Sequence, residues 1–486
     1  MKRYMTNYQL PIPNSQHRTA SRFLRVGRWK LGVVVAALAA SVLAAQQPPP
    51  SQQPATPAPQ QPSEIGVRIT GDPGVPPRYA VPDFVALTPS SAETAKMLGQ
   101  VLWDDLNFER EFYMIPRDTA ATVPAARTAD QVAFASWREL GADAVFFGTV
   151  EQKGNDVVVQ MRLFDVKTRQ SVFSQEYTTA ARSARRIAHE IADAVHLQQA
   201  ALRGVARTQL TFVSDRNNES VLGTVEKRSV KEVYVADYDG ANQRRITTTR
   251  QLNGFPSWSS DARAIAYMAW RNSGVPEIFV SFIYTGVLQN LTKGRFPSGG
   301  ASLPVFSPDG KRIVFAATPP GVSAPDLYVM DVDGSNMRRI TTHPDSDTTP
   351  TWSPSGTQIA FTSDRTGKPQ IYIMNADGSN VRRLPIPDGE ADRATWAPAP
   401  YNEIAYSART GAGYDIKVHE LTTGQTRQLT FGEGTNESPS YSASGRHIAF
   451  SSTRRGNVHI FTMARDGNDV RQITRAGNNQ APDWSN

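Results

Sequence analysis

One pattern, Pro-x-aromatic-Ser-x-x-Gly-x-x-Ile-Ala-Phe, returns six times in the last part of the chain, and its final copy has only five residues, PDWSN. The copies begin at Pro256, Pro304, Pro350, Ala394, Pro439 and Pro482, spaced by 48, 46, 44, 45 and 43 residues. A period in the forties is the signature of propeller blades, because each unit is a small antiparallel sheet that buries its faces only against the next copy. The body of the sixth copy lies upstream: residues 207–216 (RTQLTFVSDR) overlay residues 356–365 (GTQIAFTSDR). The expected ring is closed by pairing the first and last strands of the propeller segment, which leaves no sheet edge at the seam.

Each repeat parses into four short strands. In the copy from Pro350 these are PTWS, QIAFTSD, QIYIMN and VRRL, with a Pro-Ser-Gly turn after the first and Asp377-Gly378 before the last. Asp-Gly supplies the positive backbone angles of tight hairpins and recurs at Asp239-Gly240, Asp333-Gly334 and Asp466-Gly467, with Thr285-Gly286 and Thr423-Gly424 in equivalent places. The aromatics Trp258, Phe306, Trp352, Trp396, Tyr441 and Trp484 share one position, and Phe212, Tyr267, Phe315, Phe361, Tyr406 and Phe450 share another. Both sets read as filling between blades rather than as stacking sites for sugars or bases. Ser214-Asp215-Arg216 and Ser363-Asp364-Arg365, echoed by Arg409 and Arg454, read as polar links within the ring.

What does not repeat is the segment before each proline: 253–255, 302–303, 347–349, 392–393, 436–438 and 479–481. These segments enter the innermost strands and ring one mouth of the central channel. A repeat architecture keeps its core constant and varies its binding face, so this ring is the expected partner surface. Its candidate residues are Phe255, Ser302, Leu303, Asp347, Thr348, Thr349, Asp392, Arg393, Asn436, Glu437 and Gln480.

Composition bears on the upstream part. The formal charge is +7, but residues 1–45 hold Lys2, Arg3, Arg18, Arg22, Arg25, Arg28 and Lys30 and no acid; without them basic and acidic residues balance at 45 each. Nucleic-acid binding therefore loses its electrostatic support. The same leader carries an apolar run over 31–45 and reads as a signal peptide, expected over residues 1–45. Residues 46–63 are almost wholly Pro, Gln, Ala, Ser and Thr, the composition of an extended linker. With no Cys, neither disulfides nor thiolate metal sites are available.

Residues 64–204 carry a different grammar, a mixed sheet with helices. Strands are expected at 65–69, 81–87, 112–115, 144–150, 157–164 and 171–177. Capping boxes Ser90/Glu93 and Thr128/Gln131 open the first two helices, and Gly141 ends the second. A third helix over 183–202 leads into the propeller and is expected to pack at the joint. Its His189 and His196 lack a third ligand and read as solvated or interfacial residues rather than a metal site. The fold expected is thus two-domain: an α/β domain over 64–204, then a six-bladed β-propeller over 205–486.

No Gly-x-Ser-x-Gly elbow, His-Glu-x-x-His or P-loop occurs in the sequence, and no hydrolase domain is expected beyond the propeller. Residues 64–73 (EIGVRITGDP), 137–150 (WRELGADAVFFGTV), 233–242 (VYVADYDGAN), 350–365 (PTWSPSGTQIAFTSDR) and the final PDWS make the chain similar to the TolB family of Tol-Pal systems. The resemblance implies a monomeric, non-enzymatic periplasmic scaffold without cofactor or metal. It implies that the channel mouth receives a Pal-like peptidoglycan-associated lipoprotein, in support of outer-membrane integrity and invagination during division. It further implies a TolA-like inner-membrane partner at the N-terminal segment, here Glu64, Ile65, Val67, Ile69 and Asp72, although the Pro/Gln linker before it departs from the family pattern. Another envelope ligand is the alternative, either a cell-wall fragment or a cation held by Asp347, Asp392 and Glu437.

Overall fold

The computed structural model describes residues 75–220, 229–271 and 274–486. The expected signal peptide, the linker and the segment with Glu64, Ile65, Val67, Ile69 and Asp72 lie outside the described residues.

The first domain is built on a six-stranded sheet. Strands β1 (Arg78–Ala80), β2 (Val85–Ala86), β3 (Tyr113–Met114), β4 (Ala144–Lys153), β5 (Asp156–Asp165) and β6 (Ser171–Ala180) lie in the order β3-β1-β4-β5-β6, with β2 also on β4. The pairs of β1 with β3 and β4 are parallel, as is β2 with β4, and the long β4-β5-β6 meander is antiparallel. Side-chain alternation divides the core. Tyr79, Phe146 and Leu163 face helices α1 (Ala92–Glu109) and α4 (Ala184–Val195), while Ala80, Val145 and Phe164 face the other side, where α2 (Arg117–Ala120) and α3 (Phe134–Glu139) pack. On α1 the spacing of Leu98, Leu102 and Leu106 sets one buried stripe.

Several local expectations are corrected. Of the strand expected at 81–87 only Val85–Ala86 forms, while β1 ends ahead of Pro82, which has no N–H to give a ladder. The first helix is not opened at Ser90: a 3-10 turn over Pro89–Ser91, capped by Thr88 with Pro89 first and the Ser91 hydroxyl donating to the Thr88 carbonyl at 2.8 Å, leads into α1 with Ser91 as its N-cap. At Thr128 no reciprocal box forms, since Gln131 Oε1 accepts from the Arg127 N–H at 3.2 Å and α3 begins only at Phe134. The third helix ends its α-helical part at Val195 and widens into a π turn over His196–Ala200 before Ala201 turns left-handed.

The propeller has six four-stranded antiparallel sheets. Blades I to VI begin with inner strands Asn253–Trp258, Ala301–Phe306, Asp347–Trp352, Ala391–Trp396, Asn436–Tyr441 and Asn479–Trp484. In blade VI that inner strand pairs with Gln209–Ser214 in the register Asn479 to Ser214 and Trp484 to Leu210, the closure read from the broken repeat. The second-strand aromatics are fully buried, and in five blades each faces an aromatic across the ladder: Phe212–Tyr234, Tyr267–Phe279, Phe315–Tyr328, Phe361–Tyr372 and Phe450–Phe461. Blade IV substitutes Lys417, whose ammonium and the Tyr406 hydroxyl both hold Asp388. The turn glycines serve a second purpose, for an added Cβ at Gly378 would stand 2.3 Å from the Ile340 carbonyl of the neighbouring blade.

One core runs through the joint between domains: Phe108, Ile187 and Val195 belong to the same buried cluster as Leu210, Tyr238, Ile473 and Trp484. Polar groups are sealed inside it. His189 Nδ1 lies 2.8 Å from Asp105, whose other oxygen accepts from Tyr238 at 2.7 Å. Glu109 accepts from Arg446 and from the Val205 N–H at 2.6 Å, and burial nevertheless pushes its carboxyl up to about 7. His447 stacks on Phe108 with ring centroids 4.2 Å apart, and burial lowers both it and His196 to about 3, so both are neutral. Of the two helix histidines, His189 is thus interfacial, and His196 is buried against Phe112.

Candidate functional site

Every inner strand opens with the same backbone device. The register slips between the second residue before the proline and the residue after it, so two inner-strand residues oppose one on the next strand. In five blades the bulge holds a proline, which cannot donate to the ladder and sits where no donor is needed; blade IV keeps the same bulge with Ala394. The residue ahead of the proline takes the strain. Phe255, Leu303, Thr349, Arg393, Ser438 and Ala481 all have positive φ, between 43° and 58°, although none is glycine. Such backbone costs about 1–3 kcal/mol per residue and persists only where the surroundings enforce it.

These six residues, the five prolines that follow them and Ala394 line a cavity of about 120 Å³ at the ring axis, together with Ser257, Val305 and Asp483. Contacts around the ring run I-II-III-IV-V-VI and back to I, so blades I and IV face each other. From these opposite blades, the Arg393 guanidinium reaches over the Phe255 ring, 5.2 Å from its centroid. Arg393 Nη1 donates to Ser438 Oγ at 3.1 Å, and Nε stands 3.6 Å from Asp392. Asp392 itself is occupied, accepting from Thr362 at 2.8 Å, Thr349 at 3.0 Å and the Arg393 N–H at 2.6 Å. Deeper in the wall, Asp483 accepts from the Trp258 N–H at 2.7 Å and from Ser440 at 3.2 Å. No cation among the described residues pairs with it, and burial pushes the carboxyl up to about 6.

The expected surface residues divide into three groups. Phe255, Leu303, Thr349 and Arg393 line the cavity. Ser302, Thr348, Asp392, Glu437 and Gln480 are half-buried and stand one residue further back in the strand. Burial raises the Glu437 carboxyl while the Arg393 charge pulls it down. Asp347 and Asn436 are the exceptions, because both are wholly buried inside their blades. Arg365 forks onto Asp347 at 3.0 and 3.1 Å and holds Ser363 at 2.8 Å; Arg454 treats Asn436 and Ser452 in the same way, at 3.1 and 3.0 Å. The repeated arginine is therefore the polar link expected, and it draws the third residue before the proline away from the mouth. Asp347, Asp392 and Glu437 do not form a cation site, and no group of three or more His, Cys, Asp or Glu is placed to hold a metal among the described residues. Ser438 and Ala481, within the expected segments but outside the candidate residues, also line the cavity, as does Asp483, which replaces Ser, Thr or Val of the other copies.

Comparison with known proteins places these features in context. The family model described as the TolB beta propeller domain matches residues 198–486, and that of the TolB amino-terminal domain matches residues 65–172. The chain is 30% identical over 301 residues to a Tol-Pal system protein TolB of Anaeromyxobacter dehalogenans, covering 62% of this chain and 64% of that one. It is also 30% identical over 309 residues to the Tol-Pal system protein TolB of Bordetella parapertussis, covering 63% and 64%. The matches thus span less than two thirds of these relatives' own length. The crystal structure of TolB from Acinetobacter baumannii shares the fold, with a TM-score of 0.68 at 24% identity over 84% of this chain and 96% of that one.

Proposed function

The chain belongs to the TolB family, and from that premise we propose that it is a non-enzymatic periplasmic scaffold of a Tol-Pal system whose channel mouth receives a Pal-like peptidoglycan-associated lipoprotein. The observation that carries this reading is the strained ring. The bulge and positive φ are identical in all six blades, while the side chains they aim at the axis are Phe, Leu, Thr, Arg, Ser and Ala. A feature needed only to close the ring would repeat its side chain as the buried aromatics do; a constant backbone carrying varied side chains suits recognition of a single, asymmetric partner. The partner surface is then Phe255, Ser302, Leu303, Thr348, Thr349, Asp392, Arg393, Glu437 and Gln480, joined by Ser438 and Ala481, with Asp347 and Asn436 acting from behind it.

In this reading residues 1–45 direct export, residues 46–63 form a tether, and Glu64, Ile65, Val67, Ile69 and Asp72 engage a TolA-like inner-membrane protein. The scaffold, a monomer in the periplasm, supports outer-membrane integrity and its invagination at division. Among the described residues no helix is long and apolar enough to cross a membrane.

The test is capture from an envelope extract on immobilised protein. A peptidoglycan-associated lipoprotein is expected to be retained by the natural sequence, and its retention is expected to fall about tenfold or more with Leu303→Arg or Thr348→Arg, the size of a central interface residue. Retention of no such lipoprotein, or equal retention by both variants, would overturn the assignment.

A further inference from the structure

The mouth of the channel is latched. Arg393 projects from blade IV to the Phe255 ring of blade I, 5.2 Å away, and this contact crosses the axis of the ring. The latch is lightly held. Arg393 spends one hydrogen bond on Ser438 and one loose ion pair on Asp392, while its Nη2 donors make none among the described residues. Among the six positive-φ residues of the bulges it is the one cation, set beside Phe255, Leu303 and five prolines. A planar fork with unused donors in a confined, partly apolar setting matches a carboxylate, which it holds with two parallel charge-assisted hydrogen bonds. The apolar neighbours match an aliphatic or aromatic side chain.

We propose that the mouth recognises a partner segment presenting a carboxylate beside an apolar side chain, and that Arg393 leaves Phe255 to take the carboxylate, unlatching the 120 Å³ cavity for its apolar neighbour. This rests on reading the mouth as the partner surface. Asp392 and Glu437 sharpen the selection. Asp392 already accepts three hydrogen bonds and offers the incoming group no donor, and both acids repel a carboxylate that stops short of the Arg393 fork. The latch also sets a sign that simple charge attraction does not: Phe255 competes with the partner for Arg393, so weakening Phe255 strengthens binding.

The full chain is titrated with N-acetyl-phenylalanine and, separately, with N-acetyl-phenylalanine amide, following the Nε–Hε resonance of Arg393 by NMR. The carboxylate is expected to move that resonance saturably and to bind about tenfold or more tightly than the amide, the size of a charge-assisted hydrogen bond. Arg393→Lys, followed by calorimetry, is expected to weaken the carboxylate about tenfold, whereas Phe255→Leu strengthens it about two- to fivefold. Equal response to acid and amide, no saturable response to either, or weaker binding by Phe255→Leu overturns the proposal. The same proteins are then tested against the soluble domain of the organism's peptidoglycan-associated lipoprotein. Equal binding by the natural sequence and Arg393→Lys sinks the latch and leaves the proposed function standing. No binding by the natural sequence, with the response to N-acetyl-phenylalanine intact, sinks the partner assignment and leaves the latch.

Discussion

Replacing Arg446 by Met keeps the stem that packs at the domain joint and removes the fork that holds Glu109. The structure gives the cost a pH dependence. Glu109 is almost fully buried, and after losing Arg446 it retains only the Val205 N–H. Its carboxyl sits at about 7 in the fold against an ordinary 4.5. A folded value above the unfolded one means that this group's contribution to stability is fully present below about 4.5 and declines as pH rises to about 7, where the natural protein releases the proton. Below that point Glu109 is neutral in both proteins, and Arg446→Met loses only hydrogen bonds to a charged donor, about 2 kcal/mol. Above it the natural protein ionises Glu109 against Arg446, whereas the variant must hold the proton, so the difference grows by about 1.4 kcal/mol per pH unit. Near pH 8.5 the loss reaches about 4 kcal/mol, within the range for breaking a buried ion pair. Urea unfolding followed by tryptophan fluorescence near pH 6 and pH 8.5 measures both values. An equal loss at the two pH values would refute the argument.

The blade arginines give a matched comparison: Arg365→Ala strands the buried Asp347 carboxylate and is expected to cost about 3–5 kcal/mol, whereas Arg454→Ala strands the neutral Asn436 amide and costs about 1–3 kcal/mol, both read as shifts in thermal midpoint. Gly424→Ala meets nothing within 4 Å and is expected to lose about 1 kcal/mol to its positive φ alone. Gly378→Ala adds the collision with Ile340 and is expected to lose about 2–4 kcal/mol; equal unfolding midpoints for the two would show that the blades do not pack this closely there. Asp483→Asn removes a carboxyl raised to about 6, so the fall in stability of the natural protein as pH rises from about 3.8 to 6 is expected to flatten in the variant. An unchanged slope in midpoint against pH would count against the enclosure of Asp483.

The ring was legible because its determinants are local and repeated. Asp-Gly turns, alternating strands and a fixed aromatic position each recur at one spacing, and residues 207–216 carried enough of the pattern to be matched with residues 482–486. The α/β domain was readable in its long strands and blurred at its edges, where Pro82 and Pro89 moved a strand and a cap by a few residues. At the mouth, sequence variation pointed to the right segments but not to the side chains. Asp347 looks like a rim acid until Arg365, eighteen residues on, is seen to fold back on it. Ser438 and Ala481 are chemically quiet, and their place at the axis follows from a bulge that only the paired strands define. The contact of Arg393 with Phe255 joins blades three apart and has no local signal at all.

The sharing of Trp484 between the closing strand and the domain joint has a consequence in time. Its indole donates to Thr208 Oγ1 at 2.7 Å and belongs to the same core as Phe108 and Ile187, while the Gln209 N–H is held by Ser485 across a separation of 276 residues. Closing a loop of that length costs about 5 kcal/mol in chain entropy before any contact repays it. As the chain emerges from its N-terminal side, the first domain can collapse early, yet its exposed face and the partial blade beside it stay uncovered until residues 479–485 arrive. Closure of the ring and covering of the joint thus wait on the same residue, so a chain short of Trp484 leaves an unfinished sheet and an unfinished helix face together.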